Sequence, residues 1–265
     1  IYHKEVTKMK CKICHIDNPS CFSGKILNKY VIDYYHCSSC HFLQTEQPHW
    51  LEEAYAQPIN ISDTGYMARN LFYANRLTVL LYLLFGKNRI FLDYAGGYGV
   101  FVRLMRDIGF DFNWDDKYTK NIFSSGFEWN QQSQVDAVTL FEVFEHFVEP
   151  ISEIENLLKI SDTIIFSTDI YPDPIPMPED WWYFGLDHGQ HISLYSKKTF
   201  DVISKKFGVN YYNIGSLHIL TKKVIPLWKL MATRLSRFGL HKIIATKLDS
   251  NTLTDHKLMI KNTNK

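Results

Sequence analysis

From residue 89 onward the chain alternates between two apolar patterns. RIFLDYA (89–95), FDFNW (110–114), VDAVTLFE (135–142) and DTIIFST (162–168) are short runs rich in β-branched and aromatic residues, and they predict buried strands. Between them, YGVFVRLMRDIG (98–109), VEPISEIENLLKI (148–160) and SKKTFDVISKKFG (196–208) place apolar residues every third or fourth position and predict helices. VNYYNI (209–214) and LHILTKK (217–223), separated by Gly215-Ser216, read as a hairpin. Repeated strand–helix–strand units predict an α/β fold, a doubly wound and mostly parallel sheet with helices on both faces; the hairpin adds one antiparallel strand. Upstream, HWLEEAYAQ (49–57) and GYMARNLFYANRLTVLLYLLFG (65–86) are helical in period, as is 224–248; residues 249–265 are polar and expected to be loose. The expected organisation is a Cys-rich module over 1–45, a helical connector over 46–88, a main domain over 89–222 and a helical extension with its tail over 223–265.

Composition narrows the class. Apolar residues make up 46% and charged residues 22%, as in an ordinary globular protein, which excludes disordered, collagen-like and coiled-coil chains. With 29 Lys and Arg against 28 Asp and Glu the net charge is +1, which argues against a dedicated nucleic-acid binder. The longest apolar run, Val79–Phe85, is far too short to cross a bilayer, and the start IYHKEVTKMKC lacks the apolar core of a signal peptide. A cytoplasmic protein is expected. The first residue is not Met, so the chain reads as trimmed.

All five cysteines fall within the first 40 residues. Cys11-Lys-Ile-Cys14 and Cys37-Ser-Ser-Cys40 are two knuckles, each presenting two thiolates; together they make a closed tetrahedral set suited to a structural Zn²⁺. The segment GKILNKYVIDYYH (24–36) between them has strand character, as a zinc ribbon requires. Cys21 is left over and reads as a semi-buried thiol. His15, His36 and His41 flank the knuckles as alternative ligands that a full set of four cysteines makes unnecessary.

The run LDYAGGYGVF (92–101) follows a strand and opens a helix. Gly96, Gly97 and Gly99 allow a ligand close to the backbone, and the helix N-terminus offers free N–H groups. Asp116, 23 residues after Asp93 and just past the second strand, can accept both ribose hydroxyls of an adenosine cofactor; Asp115 is the neighbouring alternative. The dinucleotide pattern GxGxxG does not fit, whereas D-x-[GA]-x-G-x-G does, with Asp93, Ala95, Gly97 and Gly99.

That pattern is similar to the first motif of class I S-adenosylmethionine-dependent methyltransferases. EVFEHFVEP (142–150) resembles the segment after their fourth strand, and HGQHISLYSKKTFDVISKKFG (188–208) the His-rich loop after their fifth. The resemblance spans about residues 66–222. It implies a seven-stranded Rossmann-like sheet, with S-adenosylmethionine held by Asp93, Ala95, Gly96, Gly97, Gly99, Asp116, Phe141 and Glu142. Ala95 stands where the family most often has Gly, which costs little if its φ stays negative. The third strand, around Phe127–Trp129, is short, and Glu128 is a guess for the group facing the adenine amine. The ribbon ahead of this fold, with FLQTEQPHWLEEAY (42–55) and DHGQHISLYS (187–196), resembles sugar C-methyltransferases and methyltransferases of polysaccharide assembly.

Methyl transfer to an OH or a carbon acid needs a base, and His191 or His188, in the loop after YPDPIPMPEDWWYFGLD (171–187), is expected to supply it, with His146 nearby. The bland alternative is that these histidines bond the loop and cap the helix near Ser196. Trp181, Trp182 and Tyr183 form an aromatic cluster that either stacks on a sugar or a base or anchors a lid. Glu142, Glu145 and His146 share a face if helical; the resemblance implies either a divalent metal completed by His191 or His188, or a metal-free turn in which Glu145 and His146 satisfy the next helix and Glu142 flanks the cofactor. Tyr66, Arg69 and Asn70 lie on a helix that would fold over the site; Arg69 is a candidate for an anionic substrate group or for a salt bridge. The expected acceptor is a small molecule or glycan, most simply a nucleotide-linked sugar. The alternatives are an RNA methyltransferase whose ribbon (Lys8, Lys10, Lys12, Lys25, Lys29) grips nucleic acid, and a non-catalytic binding module.

Overall fold

The structure, a computed structural model, describes residues 8–56, 63–131 and 133–263. The first seven residues of the expected ribbon, the connector residues 57–62 and the last two of the tail lie outside them. The strands are β1 (Lys8–Lys10), β2 (Asp17–Ile26), β3 (Tyr30–His36), β4 (Leu43–Thr45), β5 (Ile90–Tyr94), β6 (Asp111–Asp115), β7 (Ala137–Phe141), β8 (Thr163–Ser167), β9 (Ser193–Leu194), β10 (Asn210–Ile214) and β11 (Leu217–Thr221). The helices are α1 (Leu51–Ala54), α2 (Tyr66–Phe85), α3 (Val100–Ile108), α4 (Pro150–Ile160), α5 (Lys197–Phe207), α6 (Leu227–Thr233), α7 (Leu240–Ala245) and α8 (Thr252–Thr263).

Six strands form a mixed sheet in the order β10-β11-β8-β7-β5-β6, with β5 parallel to both β6 and β7. The doubly wound class holds, but the sheet has six strands rather than seven. The missing one is Phe127–Trp129, which makes a single bridge between Trp114 and Glu128. Gly126, at φ +91°, ends the chain's approach on one side and a polar stretch begins at Asn130 on the other. Gly126 and the polar stretch bound the segment so closely that only one bridge forms.

The chain winds through two compact units, residues 1–60, 141–157 and 166–220 in one, and 61–140, 158–165 and 221–265 in the other. In the first unit, β1-β2-β3-β4-β9 make a second sheet: β4 pairs antiparallel with β9, so the strand that follows His191 closes the sheet built by the Cys-rich segment. Its core joins Ile26, Ile32, Tyr34, Leu43 and Trp50 to Tyr183, Phe184, Ile192 and Leu194. α5 starts at Ser196, whose hydroxyl accepts from the Thr199 amide while the Thr199 hydroxyl accepts from the Ser196 amide, a reciprocal cap in which no histidine takes part.

In the second unit the expected loose tail is instead a docked helix. Arg106 of α3 donates from Nε and Nη2 to the two carboxylate oxygens of Asp255 on α8, at 2.9 and 2.8 Å, and Arg103 adds a third bond at 2.9 Å. The Asn251 amide donates to the Arg106 carbonyl. A helix held by ion pairs need not show an apolar stripe, which is why its polar composition read as loose.

Candidate functional site

Four thiols gather from the two knuckles. The sulfurs of Cys11 and Cys40, and of Cys14 and Cys37, lie 3.4 Å apart, and all four fall within 4.8 Å of one another. The knuckles are built alike. The amides of Cys11 and Cys37 donate to the carbonyls of Ile16 and Phe42, and the amides of His15 and His41 to the carbonyls of Cys11 and Cys37. His15 and His41 both take left-handed φ, +63° and +54°, so each chain turns back sharply after its second cysteine. Amides of Ile13 and Cys40 point at the sulfurs of Cys11 and Cys37. Four converging sulfurs with N–H donors aimed at them fit a tetrahedral Zn²⁺. Among the described residues this cluster contains no histidine. Cys21 is exposed rather than semi-buried and donates to the Tyr34 carbonyl.

In the second unit the glycine turn connects β5 to α3. A Cβ at Gly96 would meet the Asp93 carboxylate at 2.8 Å and the Trp114 ring at 2.9 Å; at Gly99, with φ +82°, it would collide with Ser124 and Asn121. Asp93 is buried and accepts from the Thr139 hydroxyl at 2.7 Å, and burial pushes its pKa up to about 7, helped by the charge of Asp116. One oxygen of Asp116 accepts from the Gly97 amide at 2.9 Å, the other from the amides of Tyr118 and Thr119 at 2.7 and 2.8 Å. The carboxylate thus ties the glycine turn to the end of β6. The Asp115 carbonyl accepts from the Gly96 amide. Tyr66, at the first turn of α2, brings its hydroxyl within 3.4 Å of the Tyr98 amide. Glu128 is bound within its own loop by Asn121 and the Gly126 amide. Arg69 makes a two-pronged ion pair with Asp63, at 3.0 and 2.6 Å, as the salt-bridge alternative expects.

Ala95 departs from expectation. Its φ is +57°, not negative, so a Cβ sits where the left-handed conformation crowds it against the following carbonyl. Ala95→Gly is expected to stabilise the protein by about 0.5–1 kcal/mol, the relief of that crowding less the entropy Gly loses on folding. Reversible urea unfolding checks it; an unchanged or lower midpoint would show that the strain is absent.

The remaining candidates lie in the first unit. β7 ends at Phe141, and Glu142 follows with φ +55°, left-handed and therefore strained. Ser167 holds it there, accepting from the Glu142 amide at 2.9 Å and donating to its carboxylate at 2.5 Å; Tyr183 donates to the other oxygen at 3.3 Å. Phe144–His146 then form a 3-10 turn, not the α-helical face on which Glu142, Glu145 and His146 would align. Glu145 is fully buried and neither of its carboxylate oxygens takes a hydrogen bond. The Tyr183 and Thr168 hydroxyls favour its ionised form, but neither reaches bonding geometry, and burial and the charge of Glu142 raise its pKa well above the carboxylate range. Of the two acids, only Glu142 has hydrogen-bond donors on its carboxylate, from Ser167 and Tyr183. Neither Glu145 nor His146 caps α4.

Three histidine rings meet edge to face nearby: His146 and His191 at 5.1 Å, His188 and His191 at 4.7 Å between centroids. A backbone bond from Ile192 to the Glu145 carbonyl brings the His loop to the turn. His191 Nδ1 lies 2.6 Å from the Tyr183 carbonyl, which only accepts; Nδ1 therefore carries the proton and Nε2 presents its lone pair. His188 is the reverse. Its Nδ1 accepts from the Gln190 amide at 3.1 Å, so in the neutral ring Nε2 is protonated. His146 Nδ1 pairs with the Tyr55 hydroxyl at 2.9 Å. Burial keeps all three neutral, holding His146 down to about 3 and lowering His188 and His191. One ligand atom from each of Glu145, His146 and His191 falls within 4.8 Å of the others, a spacing that admits a metal ion. Trp181 packs on Tyr183 and Phe184, whereas Trp182 is 74% exposed, so the first anchors the loop and only the second offers a face to a ligand.

Sequence reasoning did not single out Ser167 or Tyr55, which bond Glu142 and His146, and took Tyr183 only as part of an aromatic cluster; lone hydroxyls carry no spacing signal.

None of the curated proteins matches this sequence. Among solved structures, it is similar to magnesium protoporphyrin IX methyltransferase from Synechocystis PCC 6803 with bound SAM, at 12% identity and TM-score 0.38, over 65% of this chain and 90% of that one. It is also similar to an O-methyltransferase family protein from Burkholderia thailandensis (16%, TM-score 0.44, 64% and 66%). A third is the plantazolicin methyltransferase BpumL in complex with SAH (14%, TM-score 0.45, 75% and 89%). A family profile described as a methyltransferase domain matches residues 67–213, more than half of the 265. This chain belongs to that methyltransferase domain family.

Proposed function

We propose that the protein transfers a methyl group from S-adenosylmethionine to a small-molecule acceptor, with a nucleotide-linked or glycan-linked sugar as the first class to try. The observation that carries the cofactor assignment is the turn 95–99, which admits no Cβ at Gly96 or Gly99 and is fastened to Asp116. Such a turn brings backbone amides to a ligand, and a carboxylate at the end of the second strand suits ribose hydroxyls. Asp116 has three amide donors and room for about one more bond. Phe141 and Glu142, at the end of β7, are proposed as further cofactor residues, since a carboxylate that accepts from Ser167 and Tyr183 suits a cationic sulfonium. When bound, the cofactor supplies an activated methyl on positive sulfur.

What this chain supplies is alignment and proton removal. His191 Nε2, left unprotonated by the bond from Nδ1 to the Tyr183 carbonyl, is our candidate to take the acceptor's proton as its oxygen or carbon bonds to the methyl and the C–S electron pair returns to sulfur. Exposed Trp182 supports a sugar acceptor, since a free aromatic face stacks on sugar rings. The four-cysteine cluster is proposed to hold a structural Zn²⁺ that shapes the acceptor-side loop and takes no part in chemistry.

Calorimetry tests the cofactor. S-adenosylmethionine and its demethylated product are expected to bind the wild type, and Asp116→Ala to weaken both at least about tenfold, the effect of losing hydrogen bonds to a charged group. Absence of binding to zinc-loaded wild-type protein would sink the assignment.

A further inference from the structure

Residues 222–248 hold seven Lys and Arg and no Asp or Glu, in a chain whose net charge is +1, so the remainder carries −6. The same stretch leaves its large apolar side chains in solvent. Val224, Leu227, Trp228, Phe238 and Ile243 are 60–82% exposed. This is not a poorly packed segment. α6, the 3-10 turn Arg234–Phe238 and α7 all pack on α2, burying Leu230 and Thr233, Ser236, and Ile244 respectively. Each piece therefore has a buried side and an apolar outer side. Lys222, Lys223 and Lys229 turn to groups of the protein, namely Asp162, the Phe85 ring and the Leu83 carbonyl. Arg234, Arg237, Lys242 and Lys247 complete the basic set, and the Arg237 guanidinium lies 4.5 Å from the Phe238 ring, an exposed cation over an exposed aromatic.

We propose that this face, residues 224–247, docks the protein on the surface of an anionic phospholipid bilayer. The occupant is chosen by chemistry. A second copy of the same face would set five positive charges against five. Nucleic acid would match the charge but gives no place for Leu227, Phe238 and Ile243. A bilayer interface takes both: aliphatic side chains enter the acyl boundary, Trp sits at headgroup depth, and Lys and Arg meet lipid phosphates. No helix among the described residues is long and apolar enough to cross a membrane, and α6 and α7 have seven and six residues, so the contact would lie in the plane of the surface. It would bring the methyltransferase to acceptors carried on lipid.

Flotation of the whole protein with phosphatidylcholine vesicles, with and without about one-third phosphatidylserine, tests this. The protein is expected to float with the anionic vesicles and to bind neutral ones at least about tenfold less. Arg234→Glu with Arg237→Glu is expected to weaken binding at least about tenfold at low salt. Leu227→Ser with Phe238→Ser is expected to abolish it, with unchanged far-ultraviolet dichroism showing that both variants fold. Equal binding to the two vesicle types, or none, would overturn the proposal. So would a concentration-dependent dimer that Phe238→Ser dissolves, which assigns the face to a second copy, or RNA binding lost on charge reversal, which assigns it to nucleic acid.

Discussion

Stripping metal from the four-cysteine cluster is expected to disorder the loop that carries His188 and His191, and with it to abolish methyl transfer. The reason lies in where that loop gets its bonds. The Leu27 amide donates to the Leu186 carbonyl, Trp50 Nε1 to the Gly189 carbonyl, the Gln190 side chain to the Ala54 carbonyl and the Thr45 amide to the Ile192 carbonyl. Every one of these partners belongs to the cysteine-rich sheet or to the short segment just after it. The second knuckle is tied to the same region, because the Tyr171 and Thr199 hydroxyls donate to the His41 carbonyl and Thr199 also to that of Cys40. Tetrathiolate zinc contributes on the order of 10 kcal/mol to the folding of small domains, because the unfolded chain has no site for it. Chelation, or Cys37→Ser, is thus expected to lower the melting midpoint by more than about 10 °C. Binding of S-adenosylmethionine, whose proposed glycine turn, Asp93 and Asp116 lie in the other unit, should fall much less than turnover. Metal analysis of purified protein comes first. A chain without metal, or one whose melting and turnover ignore a chelator, would contradict this account.

What the chain reveals before folding depends on whether a function is written in local spacing. The two knuckles are, since two cysteines three residues apart already make half of a four-cysteine cluster. So is the glycine turn, whose strand, glycines and Asp116 lie within one strand–helix–strand unit. The third strand was visible only as Phe127–Trp129, and Gly126 with the polar stretch after it reduced it to one bridge. α8 was illegible because it docks through Asp255 on Arg103 and Arg106, about 150 residues away in sequence, and ion pairs leave no periodicity. The left-handed φ of Ala95 and Glu142 is not announced by either residue, and that of Glu142 is held by Ser167, 25 residues on. The cluster of Glu145, His146, His188 and His191 was half legible. Its residues could be named, but the choice between His188 and His191 turned on a carbonyl and an amide, which sequence does not show.

That choice yields the second large effect. His191→Asn is expected to lower kcat by about 10²–10⁴, the usual contribution of a positioned base, while leaving cofactor affinity within about threefold. His188→Asn should cost less than about tenfold, since the Nε2 of the neutral His188 ring is protonated and cannot accept. The contrast matters more than either number, because the two rings lie 4.7 Å apart and a nonspecific loss of packing would affect both alike. Tyr183 adds an internal check. Its carbonyl sets the His191 tautomer and its hydroxyl bonds Glu142, so Tyr183→Phe, which removes only the hydroxyl, should spare the base and disturb the carboxylate. If His191 is the base, Tyr183→Phe retains most of the proton-transfer step and His191→Asn does not. Added imidazole should restore part of the rate to His191→Gly, as it does when only a proton acceptor is missing. Equal losses in His188→Asn and His191→Asn, with no rescue by imidazole, would remove His191 from the chemistry and leave the histidine cluster as packing for the loop.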